Sequence, residues 1–251
     1  MAQIDNRYAH AGPAAQTEVA VDEGLRAYML RVYNYMAGGI GLTGVVAYLT
    51  YANAVGVSPT GGKALTQFGQ LIYTSPLKWV IMLAPLAFVM LLSFRVYKMS
   101  VGAAQAAFWA FAAVMGLSLS SIFLVYTGQS ITQVFFVTAA AFGALSLYGY
   151  TTKKDLSGWG SFLIMGLFGI IIAALVNIFL QSSALQFAIS VIGVLVFAGL
   201  TAYDTQRIKD SYYEVMGNST MLAKGAIMGA LSLYLDFINM FIMLLQLFGN
   251  R

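Results

Sequence analysis

From about Tyr28 onward the chain is a succession of long apolar runs separated by short polar breaks, whereas the stretch before it has no apolar run. The hydrophobic segments lie near 32–54, 77–96, 103–126, 130–150, 159–181, 184–206 and 224–248. Each is long enough to cross a hydrocarbon core of about 30 Å at a rise of about 1.5 Å per residue. In lipid a single segment can satisfy its own backbone groups only as a helix, so the pattern predicts an all-α integral membrane protein of seven transmembrane helices. Residues 1–27, with Asp5, Arg7, His10, Pro13, Glu18, Asp22 and Glu23, read as a mobile cytoplasmic tail, and 28–251 as the transmembrane domain.

The breaks support this division. Ser58-Pro59-Thr60-Gly61-Gly62 interrupts the chain after the first span, Pro76 suits the first turn of the second, and Lys153-Lys154-Asp155 parts the fourth from the fifth. Spans three and four, and five and six, are joined by very short links and read as antiparallel hairpins. Pro85 removes a backbone donor inside span two and predicts a kink there. Gly38, Gly39, Gly41, Gly44, Gly225 and Gly229 read as helix contacts, because small residues let helices approach closely in lipid.

Lys and Arg are distributed unevenly. Ten of the 13 fall in the tail and in the loops after spans two, four and six, while Lys63, Lys78 and Arg251 fall on the other side. By the positive-inside rule the N-terminus is cytoplasmic and the C-terminus outside, which requires an odd number of spans. The net charge of +4 is scattered through short loops, so orientation explains it and no nucleic-acid partner is expected. Of 251 residues 60% are hydrophobic and only 9% charged, which excludes an ordinary soluble domain. The absence of cysteine excludes disulfides, thiolate zinc sites, iron–sulfur clusters and thiol catalysis, and a lone His10 speaks against a histidine metal site. No tightly bound cofactor and no enzymatic activity are expected.

Two of the nine acidic residues, Asp204 and Asp236, lie in apolar segments. A carboxylate in a span costs about 2.5 to 3.5 kcal/mol on insertion scales, so it faces the bundle interior or water and marks a functional path. The plainer alternative is a helix-end aspartate at 204 and a structural one at 236. Ser232, Asp236, Asn239, Met243 and Gln246 share one narrow face of span seven, which places that helix at the centre of the bundle beside a hydrated path. Asp204 comes shortly before Arg207 and Lys209, whereas Asp236 lies about 18 Å along its helix from Lys224. Level pairing of the two therefore requires span six to continue as a helix past Lys209.

The run Leu200-Thr201-Ala202-Tyr203-Asp204-Thr205-Gln206-Arg207-Ile208 and the run Leu231-Ser232-Leu233-Tyr234-Leu235-Asp236-Phe237-Ile238-Asn239-Met240-Phe241 resemble the signature segments of the transmembrane Bax inhibitor motif family. The resemblance covers roughly 28–249, and the short ending Leu247-Phe248-Gly249-Asn250-Arg251 is similar to bacterial members, which implies the inner membrane of a bacterium. It implies a last helix surrounded by the other six and a pH-sensitive calcium leak, with Asp204 and Asp236 as the paired aspartates. It also implies a basic latch on Asp204 at the cytoplasmic end of span two. Arg95 matches that position, with a one-residue gap that leaves Lys98 open. The 55–76 region is longer than in compact bacterial relatives and carries no implied function.

Two carboxylates within a few ångströms in a poorly solvated site cannot both ionise easily, so such a pair shares a proton and senses pH. Calcium takes hard oxygen ligands, and Asp204 and Asp236 with Ser232, Asn239 and carbonyls supply some of the usual six to eight, a weak relay site for a transported ion. Gln246 extends the path-lining face. Three other readings stay open. A binding protein could restrain a membrane protease, with the tail as contact element. An intramembrane aspartyl protease would use the same two residues, but Tyr234-Leu235-Asp236 lacks the Gly-x-Gly-Asp pattern. A proton-coupled cation exchanger would use intramembrane carboxylates as a relay.

Overall fold

The computed structural model describes residues 13–57 and 62–250, with side chains from residue 21. Helix α1 (Pro13–Ala54) runs into a short hairpin in which β1 (Val55–Val57) pairs antiparallel with β2 (Lys63–Leu65), Val55 opposite Leu65. Helix α2 (Gln67–Tyr73) follows, its first turn capped by the Thr66 hydroxyl, which accepts from the Gly69 N–H at 3.1 Å. Next come α3 (Leu77–Arg95), a 3-10 turn (Val96–Lys98), α4 (Val101–Leu119) and the single turn α5 (Ile122–Val125). The chain ends in α6 (Gly128–Thr151), α7 (Ser157–Leu180), α8 (Ser183–Val215) and α9 (Ser219–Phe248).

All seven apolar segments are helical, and the departures from the sequence reading lie mainly at their ends and in the links. The stretch 13–27, expected in the tail, is already helix: Leu25 is buried and Val21 packs on the core, so the apolar face of α1 begins before the long apolar run does. Residues 1–12 of that tail, and Ser58–Gly61 of the first break, lie outside the described residues. The 55–76 region, read only as a break, holds the hairpin and α2. Span three is divided at Ser120–Ser121, between α4 and α5. Helix α3 runs unbroken through Pro85. The two-residue link Gln181–Ser182 closes α7 onto α8, with Gln181 left-handed at φ 48°. The equally short link before α6 is different, because the main partners of α6 are α8 and α9.

Six helical stretches, from α3 through α9 with the turns at 96–98 and 122–125 included, are long and apolar enough to cross a membrane. Helix α1 is long enough, at about 63 Å, but Asn34, Thr43, Thr50 and its glycines make it less apolar. On α3, Trp79, Leu83, Leu86, Met90 and Phe94 are each more than half exposed, as are Phe162, Phe168, Ile172 and Phe179 on α7. Apolar surface of that extent is a liability in water and an ordinary solvated face in lipid. The protein is an all-α integral membrane protein.

Helix α9 is the centre. Of its apolar window 67% is buried, against 11% for α3 and 17% for α7. It packs on α8, α1, α6 and α4, while α3 rests chiefly on α4 and α7 on α8. The expected ring of six is thus four direct neighbours and two outer helices. Since lipid supplies no hydrophobic drive between helices, close packing and interhelical hydrogen bonds hold this core. Tyr234 of α9, fully buried between Phe108 and Phe111, donates to Thr43 Oγ1 at 2.6 Å, and Thr43 donates onward to Ala112 O at 2.8 Å. One contact joins α9, α1 and α4. At Gly116 a Cβ would lie 2.6 Å from Thr43 O, so α1 and α4 meet there backbone to backbone.

Candidate functional site

Helix α8 continues past Arg207 and Lys209 to Val215, which is what level pairing of the two aspartates requires. Asp204 on α8 and Asp236 on α9 are both buried, at 8% and 5% exposure. Asp236 feels the charges of Asp204 and Arg207, and its Oδ2 is buried without a hydrogen-bond partner among the described residues. A buried acceptor in that condition is costly unless something satisfies it. Asp204 Oδ1 is 3.2 Å from Arg207 Nη2, an i,i+3 pair on one helix. The same nitrogen donates to Ser232 Oγ of α9 at 3.4 Å, so Arg207 bridges the seam between the two helices just beside the carboxylates.

The polar face predicted on α9 is real, and it lies along α8. Ser232 meets Arg207, Asp236 lies beside Asp204, Met243 packs over Gly193, and Gln246 Oε1 accepts from Gln186 Nε2 and lies 2.8 Å from Ser190 Oγ. Gln186 Oε1 in turn accepts from Asn177 Nδ2 of α7 at 3.1 Å. Asn239 is the exception, since its amide nitrogen turns back to Leu235 O of its own helix at 2.8 Å. The seam therefore has a charged end and a neutral amide end.

The basic end of α8 is tied down on several sides. Thr205 donates to Thr201 O, accepts from Ser146 of α6, and Ser146 accepts from Tyr33 of α1, a hydroxyl chain with spacings of 2.7, 2.9 and 2.6 Å. Gln206 donates to Lys154 O and accepts from the Leu156 N–H, holding the link between α6 and α7. Lys209 donates to Tyr150 O at 3.0 Å. Each polar residue from Asp204 to Arg207 has a separate task, which accounts for the density of polar residues in that run.

Arg95 and Lys98 are not at the pair. Both are exposed near the end of α3, and among the described residues neither forms an ion pair. In this conformation the position beside Asp204 belongs to Arg207. The sequence carries one signal for it, a spacing of three from Asp204 on a continuous helix. Gln186 and Ser190 are likewise absent from the predicted site, and with Gly193 and Asp204 they follow one face of α8 at helical spacing. Lys224, which the sequence puts at the cytoplasmic start of span seven, is buried in the first turns of α9 and donates to Tyr97 O, in the 3-10 turn that follows α3, at 2.9 Å.

Residues 25–251 match the family described as inhibitor of apoptosis-promoting Bax1. The chain is 47% identical to an uncharacterised protein of Caulobacter vibrioides, with 100% of this chain and 99% of the relative covered. It is 46% identical to the inner membrane protein YbhL of Escherichia coli over 95% of this chain and 98% of that one. An uncharacterised membrane protein of Streptococcus pyogenes is 34% identical, with 92% and 95% covered.

Proposed function

This chain belongs to the family of inhibitors of apoptosis-promoting Bax1, and from that premise we propose that it is a pH-sensitive calcium leak whose path follows the α8–α9 seam. The observation that carries the reading is the buried, unpartnered Oδ2 of Asp236 beside Asp204. A proton or a passing cation satisfies that oxygen, and the two compete for it. This competition is the pH sensitivity. The donor set suits a transient calcium site: two carboxylates, the Ser232 hydroxyl, the Asn239 side-chain oxygen and carbonyls, with no third acidic or histidine side chain among the described residues. Weak binding lets an ion leave as readily as it enters.

Arg207 holds the closed arrangement. Its guanidinium bonds Asp204 and Ser232 across the seam, and protonating Asp204 turns a charge-assisted bond into a weaker one. Arg95 takes over as latch only in a conformation that brings the end of α3 to α8. Helix α1 is the seventh span, which puts the N-terminus in the cytoplasm and the C-terminus outside, with the basic ends of α3, α6 and α8 inside. The membrane is the inner membrane of a bacterium, as the name of the Escherichia coli relative states for that protein.

The test is calcium uptake into liposomes that hold the purified chain and a calcium indicator. Uptake down a calcium gradient, with no proton gradient imposed, is the expected result. Uptake only against an opposing proton gradient would make the protein an exchanger, and no uptake at any pH would remove the leak.

A further inference from the structure

Helices α1 and α6 both pack on α8 and α9, and between them they leave a cleft of about 590 Å³ that opens sideways toward the lipid. We propose that this cleft binds one acyl chain of an anionic phospholipid, with the phosphate of its headgroup held by Arg26. The volume falls within the range of ordinary ligand sites.

Three observations carry the assignment. The first is the shape of the lining. Met36, Phe142 and Leu147 form apolar walls, and Gly143 opens the floor, since a Cβ there would meet nothing within 4 Å. The polar atoms of the wall, on Tyr33 and Ser146, are already bonded to each other at 2.6 Å, so they do not reject hydrocarbon. The second is depth. The cleft runs along α1 from Arg26 to Ala37, about 16 Å at the helical rise, or half of a hydrocarbon core of about 30 Å. A pocket one leaflet deep, open to the bilayer, fits a single chain rather than a water-soluble ligand.

The third observation is charge at the mouth. Arg26 is exposed there and forms no ion pair with Asp22 or Glu23 a turn away, or with any other described residue. Its planar fork matches phosphate, and its stem can lie along the apolar wall. Tyr150 lines the same end, and its carbonyl is held by the Lys209 ammonium, a second cation near the headgroup position. Basic pockets between helices at the membrane surface recognise lipid headgroups in this manner. The wall that the acyl chain covers is the Tyr33–Ser146–Thr205 hydroxyl chain, which ends next to Asp204.

The experiment is native mass spectrometry of the full chain in detergent, titrated separately with palmitoyl-oleoyl phosphatidylglycerol and with the matching phosphatidylcholine. The wild type should hold one phosphatidylglycerol at a roughly tenfold lower concentration than phosphatidylcholine, in keeping with a headgroup held by Arg26. Arg26→Gln should abolish that preference, and Gly143→Leu should lower retention of both lipids. Leu147→Trp, at a side chain that is largely exposed, fills the same cleft if Gly143→Leu does not fold. Equal retention of the two lipids by the wild type, a preference unchanged in Arg26→Gln, or unchanged retention in the folded cleft-filling variants would overturn the assignment. A mass of two chains that the cleft-filling variants split would overturn it too, by giving the cleft to a second copy. Lipid retention is read without calcium, so its failure is separate from a failure of the leak.

Discussion

At one end of the α8–α9 seam Asp204, Asp236 and Arg207 meet, and at the other end Gln186, Ser190 and Gln246 do. Both are polar clusters between the same two helices, with Asp204, Asp236 and Ser190 buried, Gln186 and Gln246 half-buried and Arg207 exposed. At the amide end every contact is neutral and Gln246 Oε1 lies within reach of two donors, so the contact is the same at any pH. At the charged end one carboxylate oxygen has no partner and one arginine serves two acceptors. A saturated neutral cluster specifies how helices pack, whereas an unsatisfied buried carboxylate is costly until a proton, an ion or a moved donor meets it. The difference teaches where a switch belongs on this seam.

The largest effect should come from removing charge at the carboxylates. Asp204→Asn is expected to abolish most of the pH dependence of calcium flux, and the double variant with Asp236→Asn should add little to it, since coupled neighbours are not additive. Flux measured at several pH values checks this; full additivity would separate the two residues. Next is the bridge across the seam. Arg207→Gln should raise flux near neutral pH by roughly tenfold, the equivalent of one charge-assisted hydrogen bond of about 1.5 kcal/mol. Arg95→Gln should change it less, because Arg95 is exposed and away from Asp204 here. A larger effect at Arg95 would return the latch to α3.

The amide end should respond in the opposite sense. Gln246→Leu leaves Gln186 Nε2 without this acceptor and Ser190 Oγ with only the Gln186 carbonyl, and is expected to lower stability by about 1 kcal/mol. Thermal unfolding in detergent reads that loss, and the pH profile of flux should keep its shape. The smallest effect lies in the link before α7. The Ser157 N–H donates to Asp155 Oδ1 at 2.8 Å, and this bond with the Ser157 side chain holds the carboxyl below the usual aspartate range. Stability from that bond is present above the ordinary aspartate value and lost as pH falls through the lowered folded one. Asp155→Asn should therefore melt slightly lower at neutral pH and level with the wild type in strong acid.

Much of this arrangement is legible in the sequence because lipid enforces it. An apolar run of span length has only one backbone solution, so α3, α6, α7 and α9 fall close to the predicted segments. The central place of α9 follows from its one polar face, since a stripe such as Ser232, Asp236 and Gln246 has nowhere else to go. What the sequence hides is of two kinds. Short amphipathic pieces such as α2 and the early turns of α1 leave no span-length signal, and their order depends on contacts such as Leu25 in the core. Partners are hidden as well. Gln186 and Ser190 sit near a helix end, where polar residues are ordinary, and their partners on α9 and α7 are not visible along the chain. Arg207 reads as a topological charge until the helix is seen to continue past it.

In the proposed leak a proton and a cation compete at Asp236, while a proton at Asp204 loosens the bridge to Arg207. Calcium flux into liposomes, followed from neutral to acidic pH for the wild type and for Asp236→Asn, tests it most directly. As pH falls, the first proton goes to Asp236, whose Oδ2 has no partner among the described residues, before Asp204, whose charge Arg207 holds, so wild-type flux should decline as the ion loses its carboxylate, and the loosened Arg207 bridge should matter only in stronger acid. Asp236→Asn should show low flux with no such decline. A wild-type flux independent of pH, or an Asp236→Asn profile that matches the wild type, would contradict the account.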